Sequence, residues 1–200
     1  ERVNKAMLEG EEFEKVAQLQ RRLSSHGKFS ANVITDGKLP SSLNGLTRNY
    51  GERKVLKNGI WTKLRSRRKL LVFLFSDFLL LTESASGETS LDIIGSEEER
   101  LKIYRKAIHL DDIWLIKEAE PLKVPTQFQN LPNLRALEIE AHDSQPLLVH
   151  VPVDEFDDWV QSIYDAKRML KSNVEFQTVS SSDIKGTLRV TIESANSLPL

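Results

Sequence analysis

KVLKNGIWTKLRSRRKLLVFLFSDFLLLTE, residues Lys54 to Glu83, sets the architecture of this chain. It reads as a β-meander. Gly59 precedes a first strand over Ile60 to Leu64, a second strand covers Leu70 to Phe75, and a third covers Phe78 to Thr82. These runs are rich in the residues that fit a pleated, half-buried surface, and Ser76-Asp77 between the last two is a two-residue turn signal. LRSRRK, between the first two, is a short basic hairpin. Period two places Trp61, Lys63 and Arg65 on one face of the first strand. A large ring therefore points the same way as two cations further along, which implies a core below and a charged mouth above.

Downstream, Ser84 to Leu101 is a polar, acidic connection between strands. Ile103 to Leu110 and Ile113 to Lys117 are two more strands, with Asp111-Asp112 turning between them. Pro121, Pro125 and Pro132 make Ala119 to Asn133 a loop. Leu134 to Ala141 is a sixth strand, read with a shift in its alternation after Ala136. His142 to Gln145 is a turn and Pro146 to Val151 a seventh strand.

A helix is then predicted over Val153 to Lys171. Asp154 is its N-cap, Asp157 and Asp158 lie in its first turns, and Lys167, Arg168 and Lys171 lie near its end, as the helix dipole favours. Phe156, Trp159, Val160, Ile163, Ala166, Met169 and Leu170 form its apolar stripe. The expected fold is mainly β with flanking helices (α+β): a seven-stranded sandwich or partly open barrel, capped by the C-terminal helix. Trp61, Phe73, Phe75 and Trp159 are its expected core residues.

Upstream, Val3 to Leu23 carries apolar residues at three- and four-residue steps and reads as a further helix. Residues 24–53, rich in Ser, Gly and Asn, are linker in character, as are 172–185. Leu188, Val190 and Ile192 then alternate with polar residues, as in a strand. The chain begins and stops abruptly, as a piece cut from a longer protein would.

The bulk numbers narrow the function. A net charge of −1 excludes nucleic-acid binding through overall positive charge, so any electrostatic role falls to local clusters. The absence of Cys excludes a disulfide framework and thiolate metal ligands. It also fits a reducing cytosol. No apolar run approaches the roughly 20 residues that span a bilayer, and the opening ERVNKAMLEG is not a signal peptide. His26, His109, His142 and His150 are scattered without metal-ligand spacing. Asp111-Asp112 and Asp157-Asp158 lie where turns and helix starts favour carboxylates, so no catalytic site and no cofactor are expected.

Gly59-Ile60-Trp61-Thr62-Lys63 resembles the opening strand of a pleckstrin-homology (PH) domain. Phe73 to Thr82, FLFSDFLLLT, is similar to the second and third strands of PH domains that follow Dbl-homology exchange domains. With Arg53-Lys54-Val55-Leu56 before it, the block resembles the PH region of intersectin-like Dbl-family exchange factors for Rho GTPases. The resemblance implies a division: 1–23, the exit helix of a Dbl-homology domain; 24–53, linker; 54–171, the PH domain; 172–185, linker; and 186–200, the first strand of a calcium/lipid-binding (C2) domain. Trp159 matches the Trp of the PH closing helix. The fragment itself is then no enzyme, since exchange activity lies in the Dbl-homology domain.

Lys63, Arg65, Arg67, Arg68 and Lys69 remain as the candidate site. A solvated charged turn is one reading. The other is a phosphate site, because Arg forks and Lys point charges bind phosphate well. The resemblance implies contact with anionic phospholipid, phosphoinositides included, and a Rho-family GTPase engaged through the exchange domain. That places the parent in the cytoplasm, peripheral to plasma or endocytic membrane. The competing reading is a PH-like module that binds protein partners, for example a peptide at a sheet edge, without lipid.

Overall fold

The computed structural model describes residues 14–23, 46–47, 51–87, 99–126, 129, 131–142 and 144–180. Helix α1 occupies 14–23. A small antiparallel ribbon pairs β1 (Leu46–Thr47) with β2 (Gly51–Glu52). Then follow β3 (Val55–Lys63), β4 (Lys69–Phe75), β5 (Phe78–Ser84), β6 (Leu101–Ile103), β7 (Ile108–His109), β8 (Ile113–Glu118), β9 (Leu134–Ala141), β10 (Leu147–Pro152) and helix α2 (Val153–Ser180). One antiparallel sheet runs β6-β5-β4-β3-β10-β9-β8, with β7 also on β5. It folds over on itself and stays open between β8 and the β6/β7 edge.

The inner face holds the main core: Trp61, Leu70, Val72 and Leu74 with Leu79 and Leu81 from the meander, and Leu137, Ile139, Val149 and Val151 from the far strands. Helix α2 plugs the open end with Phe156, Trp159, Ile163, Ala166 and Leu170. Their spacing of three and four keeps one stripe of a 3.6-residue helix on the core. Met169, expected in that stripe, is exposed. Trp61 and Trp159 meet edge to face, with centroids 4.9 Å apart and planes at 72°, an arrangement aromatic pairs favour. Gly59 permits this approach: a Cβ there would lie 3.0 Å from the Trp159 ring and 3.4 Å from Glu155 Oε2.

The outer face of β4 and β5 is covered as well. Val16, Leu19 and Leu23 of α1 pack on Leu71, Phe73, Phe75, Phe78 and Leu80. Each such side chain taken from water contributes about 1.5–3 kcal/mol. Burial on both faces is why LLVFLF and FLLL are unbroken apolar runs rather than alternating ones. Phe73 and Phe75 thus belong to a different core from Trp61 and Trp159.

The elements depart from the expected ones in four places. Strand β3 starts at Val55, not Ile60, because Val55 pairs with Phe75 across a bulge before Lys57. The strand expected over Ile103 to Leu110 is broken. Thr82 faces Ile103 but Leu79 faces Ile108, so four residues of the edge chain lie against two of β5, and two are extra to the pairing. Leu110–Asp112 is a 3-10 turn, whose Asp111 amide donates to His109 Nδ1 at 3.3 Å. Helix α2 continues past Lys171 to Ser180, since no Gly or Pro stops it there. In β9, by contrast, no shift occurs: Leu137, Ile139 and Ala141 point inward while Ala136 faces the opposite side. The strand read from Leu188 to Ile192 lies outside the described residues.

The turn between β4 and β5 carries an ion pair that the sequence did not announce. Arg53 Nε donates to both carboxylate oxygens of Asp77, at 2.9 and 3.1 Å, and Arg53 Nη2 donates to Oδ2 at 2.6 Å. The side chains are 1% and 5% exposed. The guanidinium also lies over the Phe78 ring, 4.9 Å from its centroid.

Candidate functional site: a cationic cleft

The β3–β4 hairpin is built on a tight loop. Lys63 N donates to Arg68 O at 2.8 Å and Arg67 N to Lys63 O at 3.1 Å. Arg67 closes the loop with φ +55°, in the left-handed region. Leu64 is its anchor, buried against Ala119 and Val124 with Leu131, Ala136 and Leu148 beside them. Arg65 to Lys69 are exposed. One apolar side chain therefore pins a loop whose remaining residues face water.

Beside the hairpin lies an open cleft of about 600 Å³. Arg67, Arg68 and Lys69 form one wall. Ser84, Ala85, Ser86 and Gly87 form the other, with Glu83 and Lys102 also lining it. Four cations and two hydroxyls thus surround a groove that also holds one carboxylate. Such a groove attracts multiply charged anions, with Arg as a planar fork and Lys as a point charge.

The serine wall is held in place. Glu99 accepts from the Ser84 hydroxyl, from the Ser86 amide at 3.2 Å and from the Ser86 hydroxyl at 2.9 Å. These hydrogen bonds, Ser84's foremost, hold the Glu99 carboxyl below the ordinary glutamate range, and the nearby Arg22 charge adds to the effect. Arg22 Nε in turn donates to the Glu99 carbonyl at 2.9 Å.

The five candidate cations do not converge. Arg67, Arg68 and Lys69 line the cleft; Arg65 lies on the exposed turn outside it. Lys63 pairs with Glu83 and lies over the Tyr104 ring, 3.9 Å from its centroid. Sequence reading missed Lys102 and the serine wall. SASG after β5 looked like generic loop, and the signal was its position: β5 is the neighbour of β4, so its end must lie beside the hairpin. Among the described residues no helix is long and apolar enough to cross a membrane.

A folded-over antiparallel sheet plugged by a C-terminal helix, with a cationic cleft beside its first hairpin, is a pleckstrin homology architecture. The family model described as "Pleckstrin homology domain" matches residues 36–185, more than half of the chain, and the chain belongs to that family. Within it, the chain is similar to mouse and human intersectin-1, 28% identical over 123 residues, and to mouse intersectin-2, 27% identical over 125. These alignments cover 60% of this chain and 7% of each relative. It is thus a PH domain that is similar in sequence to a segment of the intersectins. Among solved structures, the linker-DH/PH domains of p115-RhoGEF superpose with TM-score 0.52 at 19% identity, covering 83% of this chain and 42% of that one. An N-terminally truncated form gives 0.53 at 18%, with the same coverage. These two likenesses concern the fold.

Proposed function

We propose that this chain is the PH segment of a Rho-family guanine-nucleotide exchange factor. It positions the preceding exchange domain and tethers it weakly to anionic, phosphoinositide-bearing membrane, at the plasma or endocytic membrane. The observation that carries the reading is the cleft, where Arg67, Arg68, Lys69 and Lys102 gather beside one hairpin. The solved structures it resembles are DH/PH pairs, and one is the DH/PH domain of human ARHGEF11 in a ternary complex with RhoA and its inhibitor. Helix α1 fits the place of an exchange-domain exit helix, and residues 186–200 that of an opening C2 strand. Each cation near a membrane surface contributes about 1 kcal/mol and fades with salt. One cleft therefore gives weak attachment, and a second lipid-binding domain in the parent would multiply it.

The rival reading, a peptide added at a sheet edge, finds less support at β8. Its Ile116 carbonyl already accepts from the Tyr164 hydroxyl at 3.2 Å, and its Ile113 carbonyl from Lys167 Nζ. Charge reversal of Arg65, Arg67 and Arg68 together tests the lipid reading. Sedimentation with anionic vesicles should be abolished while the melting temperature stays near the original. Undiminished sedimentation would sink the reading.

A further inference from the structure

Glu83 lines the cleft from β5, and Lys63 reaches it from β3, two strands away in the same sheet. Glu83 lines the groove and takes the Lys63 ammonium as its partner. The two side chains are only 16% and 28% exposed, and the Tyr104 ring covers the ammonium from another side. Glu83 also stands directly opposite Lys102 across the β5–β6 pairing. One carboxylate thus lies between two of the cations nearest the groove.

We infer that Glu83 is an internal counter-ion that limits the affinity of the cleft for multiply phosphorylated inositol headgroups. The inference rests on the lipid reading above. A phosphate entering the groove meets Arg67, Arg68 and Lys69, but also the Glu83 carboxylate. Like charges at short range oppose binding and screen out ligands. The same carboxylate engages the Lys63 ammonium and so competes with a ligand for it. Neutralising Glu83 removes the repulsion and releases Lys63 together, so its effect exceeds that of one unit of net charge.

The matched control is on the same strand. Lys57 pairs with Asp158, six residues and roughly 20 Å back along β3 at about 3.3 Å per residue. Asp158→Asn changes net charge by the same unit far from the cleft. The assay is sedimentation with phosphatidylcholine vesicles carrying phosphatidylinositol 4,5-bisphosphate, beside calorimetric titration with soluble inositol 1,4,5-trisphosphate. Glu83→Gln should tighten both roughly five- to tenfold, and Asp158→Asn should stay within about twofold of the parent. Adding Lys63→Gln to Glu83→Gln should remove most of the gain. Equal binding by Glu83→Gln and the parent, or an equal gain from Asp158→Asn, overturns the inference. A gain on vesicles without one for the trisphosphate overturns the assignment to a headgroup. If the hairpin reversal leaves sedimentation intact, the lipid reading itself fails. If the reversal abolishes it but Glu83→Gln changes nothing, only the counter-ion role falls.

Discussion

Asp77→Asn removes one charge from the Arg53–Asp77 pair and leaves the shape of the turn unchanged. The buried guanidinium then loses the Asp77 charge, and an amide group faces its N–H donors. Breaking a buried ion pair by removing one partner costs about 3–5 kcal/mol, because an uncompensated charge remains. The geometry places this pair within that range: three contacts between 2.6 and 3.1 Å on side chains that are 1% and 5% exposed. The turn it anchors also carries Ser76 N donating to Lys54 O at 3.0 Å and Leu110 N donating to Asp77 O at 2.9 Å, so the loss should spread to β7. For a domain of this size 1 kcal/mol moves the melting temperature by about 2–4 °C, which gives a drop of about 6–20 °C. Urea unfolding gives the free energy directly, with an unchanged slope as the check that the unfolded state is the same. Replacing both residues, Arg53→Met with Asp77→Leu, should recover most of the stability, since apolar side chains of similar volume often match a buried pair. A single-variant loss below about 1 kcal/mol, the scale of an exposed pair, would refute the buried pair.

Two further perturbations test the packing and the cleft wall. Gly59→Ala puts a methyl group 3.0 Å from the rigid Trp159 ring and should cost about 1–3 kcal/mol as overpacking, with the indole fluorescence of the shifted α2 altered; unchanged unfolding would mean that α2 does not seat on β3. The Glu99 carboxyl has a folded pKa below its unfolded one, chiefly through the Ser84 hydrogen bond. Its contribution is therefore present above the unfolded value of about 4.3 and lost as pH falls through the lower folded value. The Ser86 amide resonance should titrate below that value, and a midpoint at or above it would show that the serine wall is not held by Glu99.

The meander was legible because its information is local. Long apolar runs, a two-residue turn and a basic hairpin specify β4, β5 and the C-terminal half of β3 to within two residues, and the 3.6 period of Phe156, Trp159 and Ile163 specifies the start and the core face of α2. What stayed hidden depended on partners distant in sequence. Residues 53 and 77 are 24 apart, and each looked ordinary: an Arg before a strand and an Asp in a turn. The bulge between β6 and β7 has no Gly or Pro to mark it, and only its register against β5 reveals it. The hairpin suggested five convergent cations. Which of them line the groove depends on the loop closing at Arg67, and on a carboxylate of β5 that engages Lys63.

Helix α1 and the cleft are linked through one residue. Arg22 holds the Glu99 backbone, the Glu99 carboxylate holds Ser84 and Ser86, and those serines form a wall of the groove. Leu19 and Leu23 of the same helix are seated on Leu71, Phe73 and Leu80, on the reverse of the strands whose ends carry the hairpin and that wall. A domain interior is close-packed and transmits displacement rather than absorbing it. On the proposed lipid reading, a charged surface that orients the cleft would therefore orient α1 with it through these contacts. For a tether of weak individual contacts, such rigidity would matter as much as affinity, because it would set the direction of α1 relative to the membrane.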